Sequence, residues 1–322
     1  MNHCNATDQK NSLSQCELQD LHEMIAIQGG VLKAHQVISL MKQHAVSFEQ
    51  IKKLLLPVCE FFAIAPISKF HAGAIAQGEL KQNDFSQSQQ SQSQDSQTSQ
   101  DHLSQEAVAN LYFGANLEFA GQALNLTVHA EQAAINNAWH HGESKITAMI
   151  INAAPCGFCR QFINEVRDAR LMPMNIAGKS VSLDDLLPDP FSPEVLGSNV
   201  MLFDSINNGI VFDAIDKDLL RAVNSSYAPY TQNPSAVMIE CDGGTKFIGR
   251  YAENCAYNPS LSPLQSALSL MALHGLNPNK HPIKRITLAE VEGQANQLGA
   301  TKNVLTSLPQ GIEFVHLLGE KA

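Results

Sequence analysis

The sequence predicts an α/β protein in which a helix-covered sheet occurs twice, behind an N-terminal helical segment. Three observations predict it. Before Pro66 apolar residues recur at helical spacing, after Pro66 short apolar strands alternate with helices, and landmarks of that second pattern return in the C-terminal half.

Residues 14–27 and 47–62 read as helices, the second with Phe48, Ile51, Leu54, Leu55 and Val58 near one face. Their expected job is packing. Segments 72–77 and 110–113 read as two arms of a hairpin, and between them 13 of the 15 residues from 86 to 100 are Ser or Gln. Such a tract has no apolar surface to offset the entropy of ordering, so 83–105 is expected to be a disordered insertion. A helix over 127–141 carries Val128, Ala134, Ile135 and Ala138 on one side, the apolar run 146–154 follows as a buried strand, and Pro155 opens a helix over 156–166. The Pro- and Asp-rich stretch 183–193 is a boundary zone.

The second half is a faint copy of the first. Ala65-Pro66-Ile67 before a strand recurs as Ala228-Pro229-Tyr230 before a strand at 236–240, whose hairpin turn is Asp242-Gly243-Gly244. Phe113-Gly114-Ala115-Asn116-Leu117-Glu118 pairs with Ile248-Gly249-Arg250-Tyr251-Ala252-Glu253, and Glu131-Gln132-Ala133-Ala134-Ile135 with Leu264-Gln265-Ser266-Ala267-Leu268. In this register Ser262 stands for His129 and Leu264 for Glu131, so the second copy is expected to hold no metal, and Glu253 is expected to pack or form an interface.

Composition narrows the function. With 322 residues, 44% hydrophobic and 16% charged, and a mean hydropathy of −0.12, the chain can build a large core and has no run long enough to span a membrane. Residues 1–19 are polar, without a basic stretch leading into an apolar one, so the protein is expected in the cytoplasm. A net charge of −10 and the absence of a basic patch oppose binding to nucleic acid. The seven cysteines are scattered and odd in number, which argues against a disulfide framework.

Only Cys156 and Cys159 sit close enough to act together. They belong to His129-Ala130-Glu131, then 23 residues, then Pro155-Cys156-Gly157-Phe158-Cys159. Three protein ligands on zinc (His129, Cys156 and Cys159) leave a tetrahedral position open for water, which is the arrangement of a catalytic site. Glu131, two residues past His129 on a first helical turn, projects beside the metal and can carry a proton. H-x-E followed by P-C-x-x-C is the pattern of zinc-dependent nucleobase deaminases, with the Glu as acid/base. The competing readings are a redox Cys pair and half of a structural zinc site, neither of which needs Glu131. His140-His141 reads as surface capping at a helix end, His3 and Cys4 with Cys16 as a poor metal site, and Arg160 as either a donor to a thiolate or an exposed side chain.

From about residue 47 onward the chain resembles the two-domain bacterial cytidine deaminases. The resemblance is densest at 113–119, 127–132, 155–162 and Tyr251-Ala252-Glu253-Asn254. It implies a three-layer α/β/α deaminase fold in two copies, catalytic over 47–195 and degenerate over 213–322, with a helical segment at 1–46 and a linker at 196–212. It also implies a homodimer, one zinc per chain, and a substrate site made by Phe70, Asn116, Leu117, Glu118 and Ala130, with Asn116 and Glu118 on the ribose and Phe70 stacked near the pyrimidine. The expected reaction is hydrolytic deamination of cytidine and 2′-deoxycytidine in pyrimidine salvage. A base-editing deaminase acting on nucleic acid would need a basic channel and more than 6% aromatic residues.

Overall fold

A computed structural model describes residues 12–80 and 107–322. The expected insertion at 83–105 and the His3–Cys4 pair lie outside the described residues. Three helices come first: α1 (Gln15–Ile27), α2 (Ala34–His44) after the short strand β1 (Val31–Leu32), and α3 (Phe48–Leu55), which continues as a 3-10 turn over Leu56–Phe62. Ser14 and Ser47 start α1 and α3 as predicted, each bonded reciprocally with Glu17 or Gln50. Helix α2 was not anticipated. It starts at Lys33, which makes no side-chain cap, so the usual start signal is missing.

The first sheet contains β1, β2 (Gly73–Gln77), β3 (Leu111–Ala115), β4 (Ala148–Ile151), β5 (Met174–Ile176) and β6 (Lys179–Val181), in the order β1-β3-β2-β4-β5-β6. The predicted hairpin is the antiparallel pair β2–β3, running from Gly73 opposite Ala115 to Gln77 opposite Leu111. Strand β4 is shorter than the run 146–154 because the chain leaves the sheet after Ile151. Alternation along the central strands builds two cores. Ile75, Leu111, Phe113 and Ile150 bury against Ile25, Val37, Met41, Ile51, Leu55 and Phe62 of the N-terminal helices. Ala74, Ala76, Met149 and Ile151 face α4 (Ala130–His140) and α5 (Gly157–Ile163), meeting Ala134, Ile135, Ala138 and Phe162. The result is three layers, helix on sheet on helix.

After α6 (Leu183–Leu186) the architecture repeats. Strand β7 (Ile210–Val211), helix α7 (Lys217–Asn224), strands β8 (Ser235–Cys241) and β9 (Lys246–Arg250), helix α8 (Pro263–Leu273), strand β10 (Ile283–Val291), helix α9 (Leu298–Leu305) and strand β11 (Glu313–Lys321) follow. Their sheet runs β7-β11-β10-β8-β9, with β10 and β11 parallel as β4 and β5 are. Residues 210 and 211, assigned from sequence to the linker, are thus an edge strand of the second sheet, paired with β11. Gly243 and Gly244 make the predicted β8–β9 turn at φ of +87° and +88°, where a side chain would be strained.

The copies pack through α4 and α8 about an approximate two-fold axis. Gln132 Nε2 donates to the carbonyl of Pro259 at 2.8 Å, and Gln265 Nε2 donates to the carbonyl of Leu126, the same bond with the copies exchanged. Midway, Ser266 Oγ donates to Asn136 Oδ1 at 2.8 Å. His140 belongs to this junction rather than to the surface. Its Nε2 accepts from the Arg250 N–H at 3.2 Å, and burial with the nearby Arg250 guanidinium holds the ring well below its usual pKa, so it is neutral. No helix among the described residues is long and apolar enough to cross a membrane.

The repeat also shows in how closely helix meets sheet. A Cβ on Gly249 would fall 2.2 Å from the Ala267 nitrogen and 2.3 Å from the Pro263 carbonyl oxygen, and both are backbone atoms. Gly249→Ala should therefore lower stability by about 1–3 kcal/mol, the usual range for overpacking. Urea unfolding should show this as a lower midpoint at unchanged slope.

Candidate active site

Three chain segments converge where β3 and β4 end. Helix α4 begins at His129, whose extended backbone turns into the helix while its N–H is held by Gln132 Oε1 at 3.2 Å. Helix α5 begins at Cys156, whose sulfur accepts from the Cys159 N–H at 3.5 Å. His129 Nδ1 lies 3.4 Å from Cys156 Sγ and 3.2 Å from Cys159 Sγ, and the two sulfurs are 3.4 Å apart. Among the described residues this is the one cluster of His, Cys, Asp or Glu arranged to hold a metal.

The donor set fits zinc. Tetrahedral zinc with Zn–S near 2.3 Å and Zn–N near 2.0 Å separates its donors by about 3.5–3.8 Å, roughly 0.1–0.4 Å wider than the distances found here. The electrostatics agree. Hydrogen bonds from Cys159 and then His129 pull the Cys156 thiol down to about 3, while Cys159, bonded to that thiolate and buried, is pushed up. Contact with the Cys156 sulfur raises the His129 pKa.

Glu131 is 6% exposed, and burial raises its pKa. It shares a cavity of about 270 Å³ with His129, Ala130, Phe70, Asn116, Glu118 and Asn152. Larger grooves, about 770 Å³ beside Asn208 and Lys321 and about 530 Å³ beside Tyr227 and Pro229, do not border the His–Cys–Cys group.

Asn116 and Glu118 both face this cavity, as alternation along a strand requires. Both are also bonded to the loop that carries Phe70. The Glu118 carboxylate accepts the N–H groups of Ile67 at 2.8 Å and Ser68 at 3.0 Å, and the Ser68 hydroxyl. Burial would raise the Glu118 pKa, but these donors outweigh it and hold it low. Asn116 Nδ2 donates to the Phe70 carbonyl at 2.9 Å and Oδ1 accepts from the Ala72 N–H at 3.0 Å. Leu117 is a correction: it points to the other side, buried in the core, and does not line the cavity. Phe70 lines it while 57% exposed. Arg160 is another: its guanidinium binds the carbonyls of Pro155 at 2.9 Å and Leu186 at 2.7 Å, bracing the cysteine loop instead of a sulfur.

Comparison with known proteins decides the family. Family models described as the cytidine and deoxycytidylate deaminase zinc-binding region match residues 63–174 and 183–302. The cytidine deaminase of Serratia proteamaculans is 37% identical over 283 residues, 86% of each chain. That of Cronobacter sakazakii is 40% identical over 263 residues, 81% of this chain and 79% of its own, and that of Proteus mirabilis is 37% identical over 280 residues, 85% of each. The chain belongs to the cytidine deaminase family. Its cofactor is zinc, and its fold is the family's α/β unit in two copies.

Asn152 and Thr127, absent from the motif-based site, also line the cavity. The signal in the sequence for Asn152 is a lone amide inside the apolar run, one residue past the end of β4 at Ile151. Of the buried cysteines, Cys159 faces the ligand set, while Cys255 meets Gln161 and the Phe191 carbonyl. Metal analysis of purified protein should find that Cys159→Ser loses most of its zinc and that Cys255→Ser keeps it.

Proposed function

We propose that this chain hydrolyses cytidine and 2′-deoxycytidine to uridine and 2′-deoxyuridine with release of ammonia, serving pyrimidine salvage in the cytoplasm. One observation carries the reading: a buried carboxylate outside the metal set, Glu131, opens into the cavity lined by His129, which with Cys156 and Cys159 makes a three-donor metal set. His129, Cys156 and Cys159 would hold one zinc per chain, and zinc when bound supplies the Lewis acidity that makes water nucleophilic near neutral pH. Glu131 takes a proton from the attacking water and delivers it to ring N3 as the C4–O bond forms, then takes the second proton from the new C4 hydroxyl and passes it to the amino nitrogen as the C4–N bond breaks, so water and cytidine balance uridine and ammonia. Asn116 and Glu118 take the sugar hydroxyls and Phe70 lies against the base. Ala130 lines the pocket floor next to Glu131.

The catalytic unit in this reading spans 47–195, preceded by the helical segment 1–46, and the degenerate unit spans 213–322, extended back to include β7. The degenerate copy has Ser262 and Leu264 in place of His129 and Glu131, which is why one zinc is assigned per chain. Six described cysteines are free thiols, as a reducing compartment would keep them. Phe70 and Phe158, next to the cavity and the cysteine loop, leave apolar surface for a second copy to cover, which supports a homodimer. Light scattering of the active protein should give twice the chain mass.

A deamination assay on cytidine and deoxycytidine tests the reading directly. Glu131→Gln should keep its zinc and lose roughly 10²–10⁴-fold in kcat, the usual range for removing a general acid/base. A variant that lost zinc instead would make Glu131 a ligand.

A further inference from the structure

We propose that Asn152 is a positioning residue that fixes the Phe70 wall of the substrate cavity. Phe70–Ala72 continue the line of β2 beyond its last pair with β3, Gly73 opposite Ala115, and Gly73 itself lies beyond the last pair with β4, Ala74 opposite Ile151. Two asparagines replace the missing strands. Asn116, on the β3 side, donates Nδ2 to the Phe70 carbonyl, accepts the Ala72 N–H at Oδ1, and donates its own N–H to the Ala72 carbonyl at 3.4 Å. Asn152, on the β4 side, repeats this pattern one residue along. Its Nδ2 donates to the His71 carbonyl at 3.1 Å, its Oδ1 accepts the Gly73 N–H at 2.9 Å, and its N–H donates to the Gly73 carbonyl at 3.1 Å.

An asparagine amide offers the same donor and acceptor as a peptide group, so each side chain extends the ladder while its own backbone turns away. From Asn152 the chain departs through Ala153 and Ala154 to Cys156, and the space it vacates is part of the cavity. The second copy shows the alternative. By strand register, Tyr251 takes the place of Asn116 and Ala289 that of Asn152. There β10 runs on to Val291, and Asn233, the counterpart of Phe70, is buried with Nδ2 bonded to the Val291 carbonyl at 2.6 Å. There the backbone pairing goes on to Glu290 opposite Ser235.

The inference rests on the cytidine deaminase reading, because the wall it positions is the one assigned to the base. Asn152 touches neither Glu131 nor the metal set by any hydrogen bond found here, so its loss should weaken substrate binding more than turnover. The test measures kcat and KM for cytidine, the Kd for uridine by calorimetry, zinc content and thermal midpoint for wild type, Asn152→Ala and the isosteric Asn152→Asp. Asn152→Asp keeps the acceptor for Gly73 but turns a carboxylate toward the His71 carbonyl. Both variants should keep their zinc and a kcat near wild type, with KM and the uridine Kd raised about ten- to a hundredfold, the scale of an ångström-level misplacement. In a Phe70→Ala background the effect of Asn152→Ala on KM should shrink, since the residue acts through that segment. Unchanged KM and Kd, an equal effect in the Phe70→Ala background, or loss of folding or zinc in both variants would overturn the proposal. An inactive wild type would overturn the deaminase reading first and this inference with it, whereas an active wild type with unaffected variants overturns this inference alone.

Discussion

Everything at the site depends on how closely α4 lies on the first sheet. A Cβ at Gly114 would sit 2.2 Å from the Ala134 nitrogen and 2.3 Å from the Ala130 carbonyl oxygen, so only glycine lets the helix backbone rest directly on β3. That contact fixes the first turn of α4 against the strand end, and with it His129 and Glu131. The cysteine loop then has to arrive within reach of His129, which it does because β4 stops early and α5 starts at Cys156. The ligands come from two helix starts, where backbone geometry is set by the sheet beneath.

This explains which parts of the protein could be read from the sequence. His129, Glu131, Cys156 and Cys159 are legible because each pair is local and its spacing is itself the chemical requirement. The two-copy architecture is legible because Gly114 and Gly249 face the same steric demand, so the residues around them stay alike. The serine-capped helices announce themselves, whereas α2, starting at an uncapped Lys33 and ending at Ala45 in a left-handed conformation, gives no punctuation to read. Asn152 and the bracing role of Arg160 were not legible. Apart from the Pro155 carbonyl, five residues before Arg160, their partners are backbone carbonyls and an N–H group 26 to 81 residues distant, and no sequence pattern encodes a bond to a main-chain atom so far away. Leu117 was assigned by its place in a motif, while strand alternation sends its side chain into the core.

The degenerate copy separates scaffold from chemistry. Glu253 accepts the N–H groups of Tyr230 at 2.8 Å and Thr231 at 3.2 Å and the Thr231 hydroxyl, bond for bond what Glu118 does with Ile67 and Ser68. Holding the loop after the Ala-Pro pair is therefore a duty of this carboxylate that does not depend on a metal set beside it. Arg250, in the place of Ala115, stacks 3.6 Å from the Trp139 ring centre and donates to the Trp139 carbonyl at 2.7 Å, so strand-end positions there serve the junction between copies.

A carboxylate already holding three donors can still serve a substrate. Two oxygens offer about four acceptor sites, so the loop bonds leave Glu118 room for roughly one more donor, and an asparagine with one amide hydrogen and one oxygen engaged likewise keeps one of each kind. The loop bonds thus select the orientation of the remaining lone pairs and hydrogen before any ligand arrives. A sugar hydroxyl, which both donates and accepts, matches such a pair. The same bonds that make Asn116 and Glu118 look occupied are what hold them rigid, and rigidity lowers the ordering entropy that binding would otherwise have to overcome.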